Sequence, residues 1–136
     1  MFEVLEHAAD IGFRARAGNL RELFARAAEA LVAMAMEVDQ IEPCEVYPIE
    51  AEAESIDSLL VNWLSEVLYY IDGRQLAFRT FNVKECGLNR VSGEALGEPR
   101  DQGRHPARLV IKGVTYHQLK IEQAGHEWYC EVFVDI

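Results

Sequence analysis

The stretch that decides the fold is residues 11–35, IGFRARAGNLRELFARAAEALVAMA, in which the spacing of the apolar residues changes once. Up to Ala17, apolar residues occupy every second position, which predicts a half-buried strand. From Leu20 onward they recur at helical spacing, and Asn19 precedes them as an N-cap candidate with Glu22 in the capping-box position. The stretch therefore predicts a strand followed by an amphipathic helix, the Glu22–Arg26 spacing adding a favourable i,i+4 ion pair.

A second strand and a second helix follow. Residues 46–54 alternate apolar with acidic residues, and Pro48 among them indicates an edge position or a bulge. Ser55 or Asp57 then caps a helix with a long apolar stripe. We expect this helix to end at Gly73, a residue that tolerates the left-handed conformation common after helix C-termini.

Only strands are predicted beyond the second helix. The strand-like stretches are residues 76–83, 88–95, 108–116, 117–123 and 128–135, and residues 2–4 add another at the N-terminal end. Residues 97–106 form one long polar loop, and loops of that length inside compact domains are often functional. The pattern predicts an α+β fold in which two amphipathic helices pack on a mostly antiparallel sheet, as a single domain over residues 1–136.

Composition excludes several classes of protein. No run of 18 apolar residues exists, which argues against a membrane-spanning helix, and no basic segment precedes an apolar stretch as in a secretory signal. The three cysteines, Cys44, Cys86 and Cys130, are far apart and form no CxxC pair. A disulfide framework or a zinc site is therefore disfavoured, and we expect a cytoplasmic location.

The charges are distributed unevenly along the chain. Residues 27–73 contain eleven of the 23 acidic residues and none of the 13 lysines and arginines, so this acidic middle accounts for the net charge of −10. Such a field repels phosphate backbones and attracts divalent cations or a basic protein surface. Direct binding to nucleic acid is therefore not expected, while a merely solubilising role for the acidic residues stays open.

The chemistry-bearing residues favour a hard-cation site over a nucleophile. No GxSxG, P-loop or GxGxxG motif is present, and no cysteine has an adjacent histidine. Asp10 stands at the start of a predicted strand, and Asp135 at the end of the last one, followed by Ile136 with its terminal carboxylate. Carboxylate oxygens on rigid backbone suit Ca²⁺ or Mg²⁺, although both groups could simply be solvated. His7, three residues before Asp10, is a ligand, an orienting residue or an ordinary strand-end histidine.

Lys112 is unusual because it interrupts a segment that is otherwise apolar, Leu109-Val110-Ile111-Lys112-Gly113-Val114. Its ammonium group either extends to solvent or faces an acidic cluster or the phosphate or carboxylate of a partner. His117, which follows Thr115 and Tyr116, is a candidate for the same side of the molecule.

Several of these segments together resemble one family. Residues 7–12, HAADIG, resemble the HTADIG opening of the archease family, and further family-like segments occur in the same order as in that family: residues 20–31, 59–72, 111–117 and 133–136. The loop over residues 97–106 fits as well. Ala8 stands where the family usually has Thr, and Gly113 where it usually has Ala.

The resemblance implies an accessory protein and not an enzyme. Archeases are understood to assist the RtcB-type RNA ligase, which seals RNA ends in tRNA splicing and RNA repair. They promote guanylylation of the active-site histidine of the ligase and so allow repeated turnover. Two other classes remain open from the residues alone: a general chaperone or adaptor, and a metal-dependent phosphohydrolase.

The resemblance also implies roles for individual residues. Asp10 and Asp135 correspond to metal-site carboxylates, Ile136 offers its terminal carboxylate, and Asp39 corresponds to an acidic position that could supply a third ligand. The expected cofactor is a divalent cation, Ca²⁺ before Mg²⁺ or Mn²⁺. Lys112 corresponds to the essential basic residue of a functional patch, in which we also place His7 and His117.

Overall fold

The computed structural model describes residues 1–7 and 10–136, with side chains described at positions 1–4 and 11–136. Within these residues the elements, in chain order, are β1 (Phe2–His7), β2 (Asp10–Ala17), α1 (Leu20–Ala35), β3 (Glu45–Glu52), α2 (Ile56–Leu68), β4 (Leu76–Cys86), β5 (Arg90–Pro99), β6 (Gly113–Val114), β7 (Lys120–Ala124) and β8 (Glu127–Asp135). No helix of the described part is long and apolar enough to cross a membrane.

The strands form two separate sheets. The first sheet has the order β1-β2-β8-β6, with β7 also pairing with β8, and the second has the order β3-β5-β4. Every strand pairing among the described residues is antiparallel. The α+β class is therefore confirmed, with the strands divided between two sheets. Pro48 lies in β3, which is an edge strand, as its missing N–H requires.

The core lies between the helices and both sheets. Helix α1 packs against β2 of the first sheet and β4 of the second, while α2 packs mainly against β3. Trp63 of α2 is fully buried, and its indole N–H donates to the carbonyl oxygen of Phe24 in α1 at 3.0 Å. This bond satisfies a polar group at the centre of the core and fixes one helix against the other.

The helix starts follow the capping rules. The side chain of Asn19 accepts from the Glu22 N–H at 2.9 Å, and Arg26 lies 3.9 Å from the Glu22 carboxylate. Ser55 rather than Asp57 caps α2, because its hydroxyl accepts from the Ser58 N–H at 3.2 Å. Both predicted helix starts are confirmed.

Helical structure after α2 ends at Gly73, as predicted, but the predicted reason is wrong. The helix runs on into a π-helical turn over Tyr69–Gly73, and the left-handed residue is Gln75, with φ of 53°, not Gly73. A Cβ on Gly73 would lie 3.0 Å from the ring of Tyr69. Glycine fits position 73 because a side chain there would crowd the ring of Tyr69, and not because the backbone is left-handed.

The strands after residue 88 also differ. β5 extends to Pro99, and the predicted strand over residues 108–116 is reduced to Gly113–Val114. The reason is that the preceding backbone bonds to the end of α1: the Arg108 N–H donates to Ala35 O at 2.9 Å, and Pro106 O accepts from the Glu37 N–H at 3.0 Å. The apolar run in this segment buries Ile111 against the core without joining a sheet.

A buried ionic cluster, the Glu98 cluster, ties the long loop to the end of β5. The Glu98 carboxylate accepts from the Glu42 N–H at 2.8 Å, from two Arg104 nitrogens at 3.1 and 2.7 Å, and lies 2.9 Å from Nε2 of His105. His105 is completely buried. These donors, the Glu42 N–H foremost, lower the pKa of Glu98 to about 2 against the opposing effect of desolvation.

We predict that Glu98 contributes acid-sensitive stability. Because its pKa in the folded state is about 2 against an ordinary 4.5, the contribution is complete above pH 4.5 and is lost as the pH falls toward 2. The free energy of unfolding of the wild type should therefore exceed that of Glu98→Gln by an amount that shrinks over this interval. Denaturant titrations at several pH values measure it, and a constant difference would contradict the assignment.

We also predict that Gly97 cannot take a side chain. A Cβ at this position would lie 1.9 Å from Ala77 O, on the neighbouring strand where β4 has a register shift. Gly97→Ala should lower the free energy of unfolding by about 3 kcal/mol, because backbone must move. Gly87→Ala is the control, since nothing lies within 4 Å of its added Cβ. Equal free energies of unfolding for the two variants would show that the contact between Gly97 and the Ala77 carbonyl oxygen is not tight.

Candidate functional site

Three positions far apart in sequence meet at one end of the first sheet. The register of β2 with β8 places Asp10 opposite Asp135, and β6 places Gly113 opposite Asp135 from the other side. The Lys112 N–H donates to the carbonyl oxygen of Asp135 at 2.8 Å. We call the positions of Asp10, Lys112 and Asp135 the Asp135 site. The hairpin of β1 and β2 adds His7, which is paired with Asp10.

The register behind this meeting is fixed by burial. Phe13, Ala15, Cys130 and Val132 are buried on the face of β2 and β8 that points to the core. A slip of one residue would turn these side chains toward solvent, so the pairing of Asp10 with Asp135 is set by the core.

Gly12 provides a second constraint beside the Asp135 site. It is paired with Phe133, and a Cβ on Gly12 would lie 2.5 Å from Val132 O and 2.8 Å from Cδ2 of the Phe133 ring. The glycine thus lets the backbones and the buried ring of Phe133 approach closely, two residues from each aspartate. The alternation that predicted β2 gave no sign of this second role for Gly12.

The electrostatics of the Asp135 site are unusual. Like charges at directly opposite positions of an antiparallel pair destabilise it, and here two aspartates are opposite. A divalent cation between carboxylates removes such repulsion, and oxygen ligands are what Ca²⁺ and Mg²⁺ prefer. The Asp135 and Lys112 side chains are exposed, so ions and partners can reach them.

A complete ligand set is not seen among the described side chains, where no group of three or more His, Cys, Asp or Glu residues could hold a metal ion. The side chains of His7 and Asp10 lie outside the described residues, and so does Ala8. Asp39 is exposed in the turn after α1, beside Gln40, whose carbonyl oxygen accepts from Arg104 at 2.9 Å. In the described part no hydrogen bond or ion pair between Asp39 and Asp135 is found.

Lys112 and His117 lie on either side of β6. The sequence context predicted that Lys112 lies within a strand, and this is wrong. Lys112 immediately precedes the short β6, and its side chain is exposed. His117 is exposed in the connection to β7, where its N–H donates to the Thr115 hydroxyl at 3.1 Å. Tyr116 beside it contacts the Ser58 hydroxyl at 3.4 Å and so links this connection to α2.

Two of the cysteines are poor nucleophiles. Burial raises the pKa of Cys130 to about 12 and that of Cys86 to about 11, so neither thiol is ionised at neutral pH. Cys130 is completely buried and forms part of the core.

Comparison with known proteins identifies the family. Residues 2–136 match the Archease protein family (MTH1598/TM1083). The chain is 38% identical to the protein archease of Methanopyrus kandleri, with 99% of each chain covered, and 36% identical to that of Sulfurisphaera tokodaii, with 99% and 98% covered.

Solved structures agree. The solution structure of protein 1598 of Methanobacterium thermoautotrophicum matches with a TM-score of 0.85 at 30% identity, covering 99% of this chain and 98% of that one. An archease crystal structure from Thermotoga maritima shares the fold, with a TM-score of 0.62 at 21% identity and 97% and 94% coverage. On the match over residues 2–136 and these relatives, the chain belongs to the archease family.

Proposed function

We propose that this protein is an accessory protein of an RtcB-type RNA ligase. In this role it promotes guanylylation of the ligase and allows repeated turnover in tRNA splicing or RNA repair, without itself being an enzyme. The observation that supports the proposal best is the meeting of Asp10, Lys112 and Asp135 at one end of the first sheet. Family membership supports it further.

The proposed cofactor is a divalent cation, Ca²⁺ before Mg²⁺ or Mn²⁺. Asp10 and Asp135 would hold it, with the carboxylate of Ile136 and, from the turn after α1, Asp39 as further oxygen ligands. The donor set fits a hard cation, since all these ligands are carboxylates and the two opposed aspartates need a neutralising charge. Such an ion, when bound, stabilises negative charge that develops on phosphoryl oxygens.

Lys112 supplies a positive charge beside the carboxylates. Its backbone is held at Asp135 while its side chain is exposed, so its ammonium group can pair with an anionic group of the partner complex. A phosphate of the nucleotide being transferred is the group that such a point charge suits. His7 and His117 extend the proposed patch on either side.

The acidic middle of the chain supports a basic protein partner. Its exposed members include Glu45, Glu50, Glu52 and Glu54, on β3 and just after it. A ligase that binds RNA needs a basic surface, and complementary charge speeds encounter and orients docking. The same field opposes direct contact between this protein and RNA.

We predict that neutralising either aspartate of the Asp135 site strongly reduces the activating effect. Asp10→Asn and Asp135→Asn should each reduce stimulation about tenfold or more, because a site that loses one charged ligand binds its cation much more weakly. Single-turnover transfer of labelled guanylate from GTP to the ligase measures the effect, and calorimetric titration with Ca²⁺ measures binding. Glu122→Gln, at an exposed position on β7 outside the acidic middle, is the matched control.

The same assays separate the alternative functions. Normal stimulation by both aspartate variants would contradict the proposal. Hydrolysis of a phosphodiester by the protein alone with Mn²⁺ would instead favour a phosphohydrolase. Protection of unrelated aggregating proteins would favour a chaperone, the role that the description of the Thermotoga maritima structure gives as possible.

We predict that Lys112 acts through its charge and not through stability. Lys112→Gln should lower maximal ligase guanylylation about tenfold, as expected when one charged group facing a transferring phosphoryl group is lost. The melting temperature should change little because the side chain is exposed. Lys120→Gln, an exposed lysine on β7, should keep full stimulation. Equal activity of the two variants would remove Lys112 from the site.

A further inference from the structure

Two of the proposed site residues stand on segments that meet at one buried carboxylate. Asp39 lies in the turn after α1, and this turn is held on its C-terminal side by two bonds of the Glu98 cluster. Glu98 accepts from the Glu42 N–H at 2.8 Å, and Arg104, while paired with Glu98, donates to Gln40 O at 2.9 Å. The backbone on the C-terminal side of Asp39 is thus anchored to Glu98.

The segment that leads to Lys112 begins at the same carboxylate. Nδ1 of His105 accepts from the Asp101 N–H at 2.9 Å, which requires Nδ1 to be unprotonated and leaves Nε2 as the donor to Glu98. The Asp101 carbonyl oxygen accepts from the His105 N–H at 2.7 Å, which closes the turn. The imidazole ring, completely buried, therefore locks this turn onto Glu98.

From His105 the chain is held at successive points up to Lys112. Pro106 O accepts from the Glu37 N–H at 3.0 Å, and the Arg108 N–H donates to Ala35 O at 2.9 Å. Ile111 is buried, and the Lys112 N–H reaches Asp135 O at 2.8 Å. No long unsupported stretch separates the Glu98 cluster from the Asp135 site.

We propose that Glu98 is a positioning residue, whose carboxylate fixes the turn carrying Asp39 and the segment carrying Lys112 relative to each other. The effect of Glu98 on activity rests on the ligase role proposed above. Its effect on the geometry of the two segments does not depend on that role. Glu98 is itself buried and acts through these two segments, without touching a partner.

The chemistry of the cluster suits this role. Buried ion pairs are poor sources of net stability, because desolvation offsets much of their attraction, but removing one partner leaves a costly unpaired group. A carboxylate that accepts from two segments is directional in a way that apolar packing is not. Such an arrangement favours one geometry of the two segments over others that bury similar apolar area.

The test compares Glu98→Gln with Glu94→Gln, a control on the same strand whose carboxylate pairs with Lys84 at the surface. In Glu98→Gln, amide hydrogen exchange should rise about tenfold or more at Glu42, whose N–H loses its charged acceptor. It should rise similarly at Arg108 and Lys112, because the segment that carries them loses its anchor at Glu98 and opens more often. Core amides of β8 should change less than these three. Arg104→Gln, which alters a half-exposed member of the cluster, should give the same pattern if Glu98→Gln does not fold.

Ligase assays complete the test. Maximal stimulation should fall in Glu98→Gln, while the protein concentration for half-maximal stimulation changes less, because the acidic docking surface is intact. Unchanged exchange at Arg108 and Lys112 would overturn the positioning role even where the wild type activates the ligase. Absence of stimulation by the wild type would overturn the ligase role and leave the exchange result to decide on positioning.

Discussion

The antiparallel pairing of β2 with β8 is the constraint on which the rest of the molecule depends. It joins the beginning of the chain to its end, and its register is set by the apolar side chains that both strands bury against α1. The same register puts Asp10 opposite Asp135. The apolar core thus fixes the positions at which the two aspartates are paired, and a slip of the register by one residue would expose that core. Hydrophobic burial here determines which residues stand opposite each other at the end of the sheet.

A different kind of interaction holds the parts of the site that the sheet does not reach. The turn with Asp39 and the segment before Lys112 have little regular structure, and their backbone groups bond to Glu98, Arg104 and the last turn of α1. Hydrogen bonds hold these segments in place, whereas apolar packing holds the strands of the sheet. The irregular segment joins the sheet at Asp135, whose carbonyl oxygen accepts from the Lys112 N–H.

Prediction from sequence succeeded where periodicity and capping decide the structure. The helix starts at Asn19 and Ser55 and the edge position of Pro48 follow from local chemistry alone. The segment over residues 108–112 was predicted wrongly because its apolar residues resemble a strand while its backbone bonds to a helix end, a choice made by tertiary contacts. Gly12 and Glu98 went unnoticed as determinants of the site for the same reason: their partners, Phe133 and Glu42, are distant in sequence. A shared role of Asp10 and Asp135 was implied by the family resemblance, since the residues alone left simple solvation open, and the register that pairs them is visible only in the fold.

The charges of the molecule divide into two parts with different structural requirements. Attraction of a basic partner by the acidic middle would depend on net charge. Mobile side chains would not weaken it much, because the field of many charges averages over their positions. The Asp135 site draws Asp10, Lys112 and Asp135 from outside that acidic stretch, and its chemistry would act over a few ångströms, where small displacements matter. The buried Glu98 cluster and the close approach at Gly12 both lie beside segments of that site, and neither lies on the exposed acidic face of β3. Under the proposed function, directional and close contacts hold the segments where short-range chemistry would be needed, while docking through the acidic middle would rely on net charge.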